Sequence, residues 1–573
     1  MKTYPISLRR ADWRFLLPAP QSQQFEELVM LGAPAELVER MRATEFAAEV
    51  GDQLQGENTA DAIAVLDGAR SSIHAAVHCL KPDGVLYYET RGRGARQRLE
   101  QMLRAVGFET HAYLALPNFV QCKKYLPLDA PNVLEWYWQT LYMAGTLPQR
   151  ALLSVLPRVT RAQPRLLEWL APCVALVATR GESARRFCEW SSFDETSLQG
   201  ARCESARRFT ETSLQGARHT NTLLLTSGQD ESSRVVLFPF AANDAEPRAV
   251  IKISTRADFD ALTMREQQTL ADLRARLDER LRDTLPQPLG AVCVNGHAAG
   301  VESYARGRSL WASSGDWQRT SQRAVDDLTL ATNWLCAFQQ QVGTRVEWNR
   351  AAIGRWVEQP LKNYCFLFGE TERARDLFAR ARERAEELLG ATMLQVVQHN
   401  DFGPWNFARA GDRLIVMDWE SAACGLGVGD LFYFVTHWSF ITRRLYGEHT
   451  ELRGVYELFI ERAPQDERVR AARQRMSAYL EKMELDPRFA PLLLVTFWVD
   501  RALDRFTRQG ALGAQGVNEN RFAQYVALLA KHGETLFAGA AFLQNDFQVH
   551  PFPVFSKLAP ISLHAGTSVR PTR

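Results

Sequence analysis

Short apolar runs alternate with amphipathic segments over residues 1–125. The runs are typical of buried strands, and the segments between them have the spacing of helices with one apolar face. The predicted strands are 25–31, 62–66, 85–89, 108–116 and 121–126, and the predicted helices are 71–80 and 96–106. Strands that alternate with helices predict an α/β domain with a Rossmann-like, doubly wound sheet.

The next segment, 126–218, is rich in Leu, Trp and Arg and contains several prolines, as in ALLSVLPRVTRAQPRLLEWLAP. Amphipathic helices with basic residues are compatible with peripheral membrane contact. Because the prolines interrupt any long apolar face, we favour a helical connector packed between domains. Within it, ESARRF occurs at 182 and 204, and ETSLQGAR occurs at 195 and 211. This duplication is too short for a solenoid and predicts a surface linker.

The pattern changes again after residue 218. Predicted strands at 223–226, 234–238 and 248–254 precede a helix with the sequence MREQQTLADLRARL, and two more predicted strands complete a β-rich segment, 219–305. Apolar stripes at helical spacing dominate 306–546. The final stretch, 547–573, is rich in Pro, Ser and Phe and predicts a surface tail. The C-terminal part is therefore predicted to be α+β, with a small β-rich lobe and a mainly helical lobe.

Candidate chemistry concentrates in QHNDFGPWNFARAGDRLIVMDWE, the segment 398–420. It contains His399-x-Asp401, four further residues, Asn406, and then Asp418 after an apolar run. Phosphoryl transfer from a nucleotide uses one carboxylate as a base, and an amide with a second carboxylate as Mg²⁺ ligands. We therefore assign Asp401 as the base and Asn406 and Asp418 as the metal ligands.

These residues resemble the catalytic and metal-binding loops of the aminoglycoside phosphotransferase and choline kinase superfamily, which has a bilobal protein-kinase-like fold. The family string usually has Gly where this chain has Asn400. The resemblance implies that His399 stabilises the catalytic loop through packing and hydrogen bonds. It also implies that Asp430 braces this loop through backbone amides, although Asp430 is equally typical of a helix N-cap.

The same resemblance implies a nucleotide site in 219–305. Lys252 of AVIK would pair with nucleotide phosphates, and Glu266 would hold this lysine in place. The loop 228–233 would cover the phosphates, with contacts from the following residues: Gly228, Ser232 and Ser233. The linker that contains Glu302 and Tyr304 would hydrogen-bond the adenine through its backbone.

The N-terminal strings HAAVHCLKPDGVLYYE and LRAVGFETHAYLALPN are similar to the second half of class I S-adenosylmethionine-dependent methyltransferases. The first half departs from that family, because only Gly32 represents the glycine-rich cofactor loop. No acidic residue follows a convincing second strand, and Asp67 is more typical of a turn. We therefore expect a degenerate methyltransferase-like domain.

Composition bears on three questions: nucleic-acid binding, the redox state of the cysteines, and secretion or membrane insertion. A formal charge of +2 gives no indication of a nucleic-acid partner. The nine cysteines are scattered without metal spacing, which is typical of reduced thiols in a cytoplasmic protein. The N-terminus lacks the apolar segment of a signal peptide, and the longest apolar stretch, 169–178, is too short to span a membrane.

The sequence thus predicts a cytoplasmic, Mg²⁺- and ATP-dependent kinase that phosphorylates a hydroxyl of a small molecule or glycan. Two alternatives stay open: a bifunctional methyltransferase-kinase, and a catalytically inactive nucleotide-binding scaffold. Protein-kinase activity is disfavoured because no activation segment between Asp-Phe-Gly and Ala-Pro-Glu motifs is present. The acceptor, the preference for ATP over GTP and the oligomeric state stay open at this level.

Overall fold

The computed structural model describes most of the chain. The described residues are 8–18, 24–67, 73–91, 95–141, 173–181, 183–184, 221–226, 234–241, 243–294, 296–317, 321–509, 520–538 and 543. The duplicated segment, apart from residues 183–184, and the predicted tail 547–573 lie outside this part.

Strands and helices follow one another in this order. The strands are β1 (Phe25–Leu31), β2 (Ala47–Gly51), β3 (Ala60–Val65), β4 (Leu80–Arg91), β5 (Glu109–Leu116), β6 (Lys124–Pro127), β7 (Cys173–Thr179), β8 (Asn221–Thr226), β9 (Arg234–Phe240), β10 (Ala249–Ser254), β11 (Pro288–Val294), β12 (His297–Ser303), β13 (Arg308–Ser309), β14 (Thr344–Glu347), β15 (Thr392–Gln398), β16 (Phe407–Ala410), β17 (Arg413–Val416) and β18 (Ala423–Leu426). The α-helices are α1 (Ala35–Arg42), α2 (Ile73–Cys79), α3 (Ala95–Ala105), α4 (Pro131–Thr140), α5 (Asp260–Arg276), α6 (Glu279–Arg282), α7 (Leu310–Trp317), α8 (Ser321–Val342), α9 (Arg350–Ile353), α10 (Gln359–Phe368), α11 (Glu372–Glu387), α12 (Gly429–Arg443), α13 (Glu448–Phe459), α14 (Glu467–Lys482), α15 (Phe489–Gln509), α16 (Arg521–Lys531) and α17 (Gly533–Phe537). Short 3-10 helices span Leu8–Leu16, Ala257–Phe259 and Pro404–Asn406, and a π-helical turn spans Gly354–Glu358.

One large mixed sheet runs through the first half of the described chain. Its twelve strands have the order β11-β12-β10-β9-β8-β6-β5-β7-β4-β3-β1-β2. Strands β2, β1, β3 and β4 are parallel, whereas β7 is antiparallel to both of its neighbours, β4 and β5. From β5 to β11 every pair is antiparallel. The sheet of the predicted N-terminal α/β domain and the strands of the predicted β-rich segment 219–305 therefore form a single sheet, which is joined where β6 pairs with β8.

Apolar side chains cover both faces of the sheet. Along β4, Tyr87 packs on one face in a cluster with α1, while Leu86 and Tyr88 pack on the other face with α2, α3 and α4. The first 3-10 helix lies on the Tyr87 side, where the Trp13 ring stacks on Tyr87 at 4.4 Å. Continuous apolar runs are typical of strands that are buried on both faces.

The connector 126–218 was expected to be helical, and this expectation is wrong for residues 173–179, which form β7. This strand lies between β4 and β5 in the sheet, and all seven of its side chains are buried. A short, fully apolar run has no periodicity that separates a buried strand from a buried helix, so its partners decide its conformation. Residues 81–84, between the predicted helix 71–80 and the predicted strand 85–89, also lie within a strand, β4.

The second half is mainly helical, as predicted. Helices α8 and α12 to α16 contribute to one apolar core, and α12 is buried along almost its whole length. Two three-stranded sheets, β13-β16-β17 and β14-β15-β18, lie against this core and carry the segment 398–420. Among the described helices, none has the length and apolar character needed to cross a bilayer.

Candidate active site

The motif that contains His399, Asp401, Asn406 and Asp418 lies on the loop between β15 and β16 and on the loop after β17. Two of its residues have a left-handed backbone: Asn400, with φ of 61°, and Asp418, with φ of 67°. Asparagine and aspartate tolerate this conformation better than other residues with side chains. The left-handed backbone gives a physical reason for the glycine that the resembling family usually has at the position of Asn400.

The Asp401 carboxylate accepts three side-chain hydrogen bonds. Tyr433 donates its hydroxyl to Oδ1 at 2.8 Å, while Trp405 Nε1 and Asn406 Nδ2 donate to Oδ2 at 3.1 and 2.8 Å. Asp401 itself is only partly buried. The carboxylate is therefore fixed in orientation while it keeps access to its surroundings, as a base requires. Tyr433 and Trp405 were not among the residues that the sequence singled out.

His399 and Asp430 fix the loop that carries Asp401. The His399 ring accepts a hydrogen bond from the Asp401 amide at Nδ1, which leaves the proton on Nε2 for donation to the Met417 carbonyl at 2.7 Å. Asp430 accepts from the backbone amides of His399 and Asn400 at 2.8 and 2.9 Å. His399 therefore links the loop of Asp401 to the strand end that carries Asp418.

A second group of side chains, which we call the charge cluster, surrounds Lys252. It consists of Lys252, Arg234, Glu266, Glu302, Asp418 and Glu420. The Lys252 ammonium lies 2.7 Å from Glu266 Oε1, 3.0 Å from Glu302 Oε1 and 3.3 Å from Asp418 Oδ1. The predicted pair of Lys252 and Glu266 is thus formed, on β10 and α5, and it reaches the segment that contains Asp418.

Arg234, at the start of β9, supplies the second cation of the charge cluster. Its Nη1 donates to Glu266 Oε2 at 2.5 Å, and its Nη2 donates to Asp418 Oδ1 at 3.1 Å and contacts Glu420. The sequence analysis missed this residue. An arginine directly after the predicted phosphate-covering loop was the available signal, but nothing local indicated that it reaches Asp418, 184 positions away.

The balance of burial and charge differs among the acids of the cluster. Burial alone would raise the pKa of Asp418, but Lys252 and Arg234 outweigh it and lower the pKa to about 2. For Glu302, burial dominates and raises the pKa to about 7 despite its contact with Lys252. Burial also lowers the pKa of Lys252 by itself, yet Glu266 and Glu302 outweigh this effect and raise it. Asp418 and Lys252 are therefore both held in their charged forms.

The residues that were predicted to contact the nucleotide lie partly in β12, partly in the linker and partly outside the described residues. Glu302 belongs to β12 rather than to the linker. Its carboxylate contacts Lys252, so its side chain takes part in the site, whereas the sequence indicated only a backbone contact here. Tyr304 lies in the linker that follows β12, and its hydroxyl accepts a hydrogen bond from Trp136 of α4. Three predicted phosphate contacts lie outside the described residues: Gly228, Ser232 and Ser233.

The oxygen atoms of Asn406 and Asp418 fit a divalent cation such as Mg²⁺, which prefers carboxylate, carbonyl and water ligands. The two residues are held close, because the Met417 amide donates to the Asn406 carbonyl at 2.9 Å. Within the described ranges, no set of three or more His, Cys, Asp or Glu side chains forms a metal site by itself. Mg²⁺ in nucleotide sites is typically bound by one or two carboxylates together with substrate phosphates.

The side of Asp401 that faces α12 and α15 is aromatic and basic. Trp405, Tyr433 and His437 contact one another edge to face or tilted, and the Arg501 guanidinium lies 5.3 Å from the Tyr433 ring centre. Trp498, also on α15, is fully buried in the core. Arg501 thus contacts the tyrosine that donates to Asp401, whereas the Trp498 ring contacts Phe522 and Tyr525.

Comparison with known proteins finds a family match in the C-terminal part of the chain. Residues 229–492 match the phosphotransferase enzyme family. The matched region includes the charge cluster and the catalytic loop, and it begins after the N-terminal parallel strands. No curated protein matches the chain.

Solved structures that resemble the chain include three kinases. A glucosamine kinase (crystal form B) is 15% identical, with 60% of this chain and 84% of that chain covered and a TM-score of 0.33. The amicoumacin kinase hAmiN in complex with AMP-PNP, Ca²⁺ and Ami is 11% identical, with 55% and 89% covered and a TM-score of 0.34. A choline/ethanolamine kinase family protein from Mesorhizobium loti is 13% identical, with 60% and 98% covered and a TM-score of 0.29.

Proposed function

We propose that this protein transfers the γ-phosphoryl group of ATP to a hydroxyl of a small molecule or glycan. One observation carries the proposal, the position of the Asp401 carboxylate. Three donors orient this carboxylate, and His399 connects its loop to the loop of Asp418. The Asp418 carboxylate in turn contacts Lys252. The phosphotransferase-family match of 229–492 supports the same class of reaction.

Each residue has a defined task in this proposal. Asn406 and Asp418 would hold Mg²⁺, which neutralises charge on the nucleotide phosphates when it is bound. Lys252, held by Glu266, stabilises negative charge that develops on the transferred group. Asp401 orients the acceptor hydroxyl and accepts its proton. His399 has a positioning role, because both ring nitrogens are engaged by the backbone.

Substitution of the two aspartates separates these tasks. We expect Asp401→Ala to bind Mg-ATP but to lose transfer, and Asp418→Ala to lose both. Isothermal titration with Mg-AMP-PNP and an ADP-formation screen over alcohols, sugars and aminoglycosides measure the two properties. Asp412→Ala, on the exposed turn between β16 and β17, is the matched control. Retained turnover in Asp401→Ala would refute its assignment as the base.

We further propose that residues 1–125 form a degenerate methyltransferase-like domain without cofactor binding. In open parallel sheets, cofactors bind beyond the carboxyl ends of the strands, at the point where the strand order reverses, here between β1 and β3. At this point the Leu66 amide donates to the Leu31 carbonyl at 2.9 Å, and a Cβ on Gly32 would lie 2.8 Å from the Leu66 carbonyl oxygen. The ends of β1 and β3 thus contact each other and leave no room for a cofactor between them.

Asp67 supports the same proposal. It lies in a left-handed turn with φ of 53°, and its Oδ1 accepts a hydrogen bond from Arg91 at 2.6 Å. Isothermal titration of the full chain with S-adenosylmethionine is expected to give no binding heat. Saturable binding would instead favour the bifunctional enzyme.

A further inference from the structure

The N-terminal region is joined rigidly to the β-rich lobe of the phosphotransferase-family region. Strand β6 pairs with β8 in the register Lys124↔Leu225, and the Thr226 amide and hydroxyl donate to the carbonyls of Lys123 and Cys122 at 2.9 and 3.0 Å. The Arg14 guanidinium, fully buried in the first 3-10 helix, donates to the Thr255 carbonyl just after β10. Both ends of the N-terminal region therefore contact the lobe that carries Lys252.

Helix α4, which lies in the connector 126–218, also packs on the face of the sheet that presents Lys252. Lys252 on β10 is opposite Val236 on β9, so side chains two positions further along, such as Phe238, point to the same face. Trp136 packs there, with ring centres 5.3 Å from Phe238 and 5.2 Å from Phe240. Because only 4% of Trp136 is exposed, this packing is complete.

The same tryptophan contacts the interlobe linker. Trp136 Nε1 donates to the Tyr304 hydroxyl at 3.1 Å, and the two ring centres are 5.7 Å apart. One turn earlier, Asn132 Nδ2 donates to the carbonyl of Asp244 at 2.7 Å, in the turn between β9 and β10. A cleft of about 920 Å³ lies between this turn and the linker, and Tyr304 lines it.

We propose that Trp136 is a positioning residue for nucleotide binding, which acts by holding the linker at Tyr304 against the β-rich lobe. The proposal rests on the function proposed above and on the expectation from the sequence that the linker backbone hydrogen-bonds the adenine. A backbone that is already held in the binding geometry loses less entropy on binding, so a brace on the linker raises affinity. The connector helix α4 is then part of the nucleotide site, although the cofactor cleft of residues 1–125 is closed.

A double-mutant cycle tests this proposal. Trp136→Phe keeps an aromatic ring and removes the N–H donor, and Tyr304→Phe removes the acceptor. We expect each variant to weaken binding of Mg-AMP-PNP about fivefold, the value of one hydrogen bond, and the double variant to be no weaker than either single variant. The KM for the acceptor is expected to stay within about twofold of the wild type.

Trp138→Phe is the matched control, since this tryptophan lies on the same helix and contacts the Tyr137 ring instead. Two outcomes would overturn the proposal: unchanged affinity in both single variants, or effects that multiply to about 25-fold in the double variant. These outcomes leave the proposed kinase function intact, because the wild type still binds nucleotide. Absence of nucleotide binding in the wild type would overturn the proposed function and this proposal together.

Discussion

Replacement of Arg234 by glutamine removes one of the two cations of the charge cluster. Lys252 then faces the four carboxylates of the cluster alone. Loss of one partner from a buried ion pair typically costs about 3–5 kcal/mol, because the other charge stays buried without compensation. Glu266 is 1% exposed and accounts for most of this cost, whereas Asp418 is 35% exposed and partly screened by water. We therefore expect a loss near the lower bound, about 3 kcal/mol of unfolding free energy in EDTA.

Mg²⁺ should reduce this loss. In the wild type Arg234 occupies Asp418 Oδ1, so a cation that binds Asp418 must compete with it. In Arg234→Gln this competition is absent, and a cation present at a hundredfold excess over its Kd stabilises the folded state by about 2.7 kcal/mol. A tenfold weaker affinity in the wild type would give it only about 1.4 kcal/mol at the same cation concentration, so the loss is expected to be about 1.3 kcal/mol smaller in Mg²⁺ than in EDTA.

Urea denaturation of both proteins in EDTA and in Mg²⁺ measures this difference. Arg306→Gln is the control, because Arg306 is exposed and pairs with Glu246 at the surface, where loss of an ion pair costs less than about 1 kcal/mol. An equal loss under both conditions would refute the idea that Arg234 competes with a cation for Asp418.

Three further predictions concern positions outside the charge cluster. Tyr433→Phe removes a charge-assisted hydrogen bond to Asp401, and we expect kcat to fall about tenfold with little change in nucleotide affinity. Burial lowers the pKa of His437 to about 3, so the unfolded chain takes up this proton at a higher pH than the folded chain does, and stability falls as the pH drops below about 6.5. His437→Asn should therefore reduce the loss of unfolding free energy between pH 7 and 5 by about 2 kcal/mol, as measured by urea denaturation. Gly32→Ala places a Cβ against the Leu66 carbonyl at a φ of 75° and should cost at least about 2 kcal/mol by the same measurement.

Each of these has a control on the same chain. Tyr446→Phe and His449→Asn alter exposed residues and should leave kcat and the pH dependence unchanged. Gly411 has a similar φ of 63° with no atom near its Cβ position, so Gly411→Ala isolates the backbone cost, about 1 kcal/mol. An equal loss at Gly32 and Gly411 would show that the strand ends at β1 and β3 separate easily.

Local sequence patterns were sufficient to predict many of the strands and helices and one ion pair of the candidate site. The predicted strand 25–31 has the observed bounds of β1, and the expected pair of Lys252 and Glu266 is formed. These features depend on periodicity and on a motif within one short segment. The roles of Asp401, Asn406 and Asp418 stay predictions, although the geometry brings the three residues together.

Features that depend on partners distant in sequence could not be predicted. The run 173–179 forms a strand because β4 and β5 flank it, and no property of its own residues indicates that position. Likewise, Trp136 and Tyr304 are 168 positions apart, and Arg234 reaches Asp418 across 184 positions. Aromatic and arginine side chains are common in any core or surface, so only the assembled sheet identifies these contacts.

The junction of β6 and β8 has a consequence for how the chain is made. A ribosome releases Lys124–Pro127 well before Asn221–Thr226, and at about 5–20 residues per second the delay is roughly 5–20 seconds. During this time the nascent β6 edge has unpaired amides and carbonyls, which can pair with other chains. Newly synthesised molecules are therefore most exposed to misassembly, and most in need of chaperones, in the interval before β8 emerges.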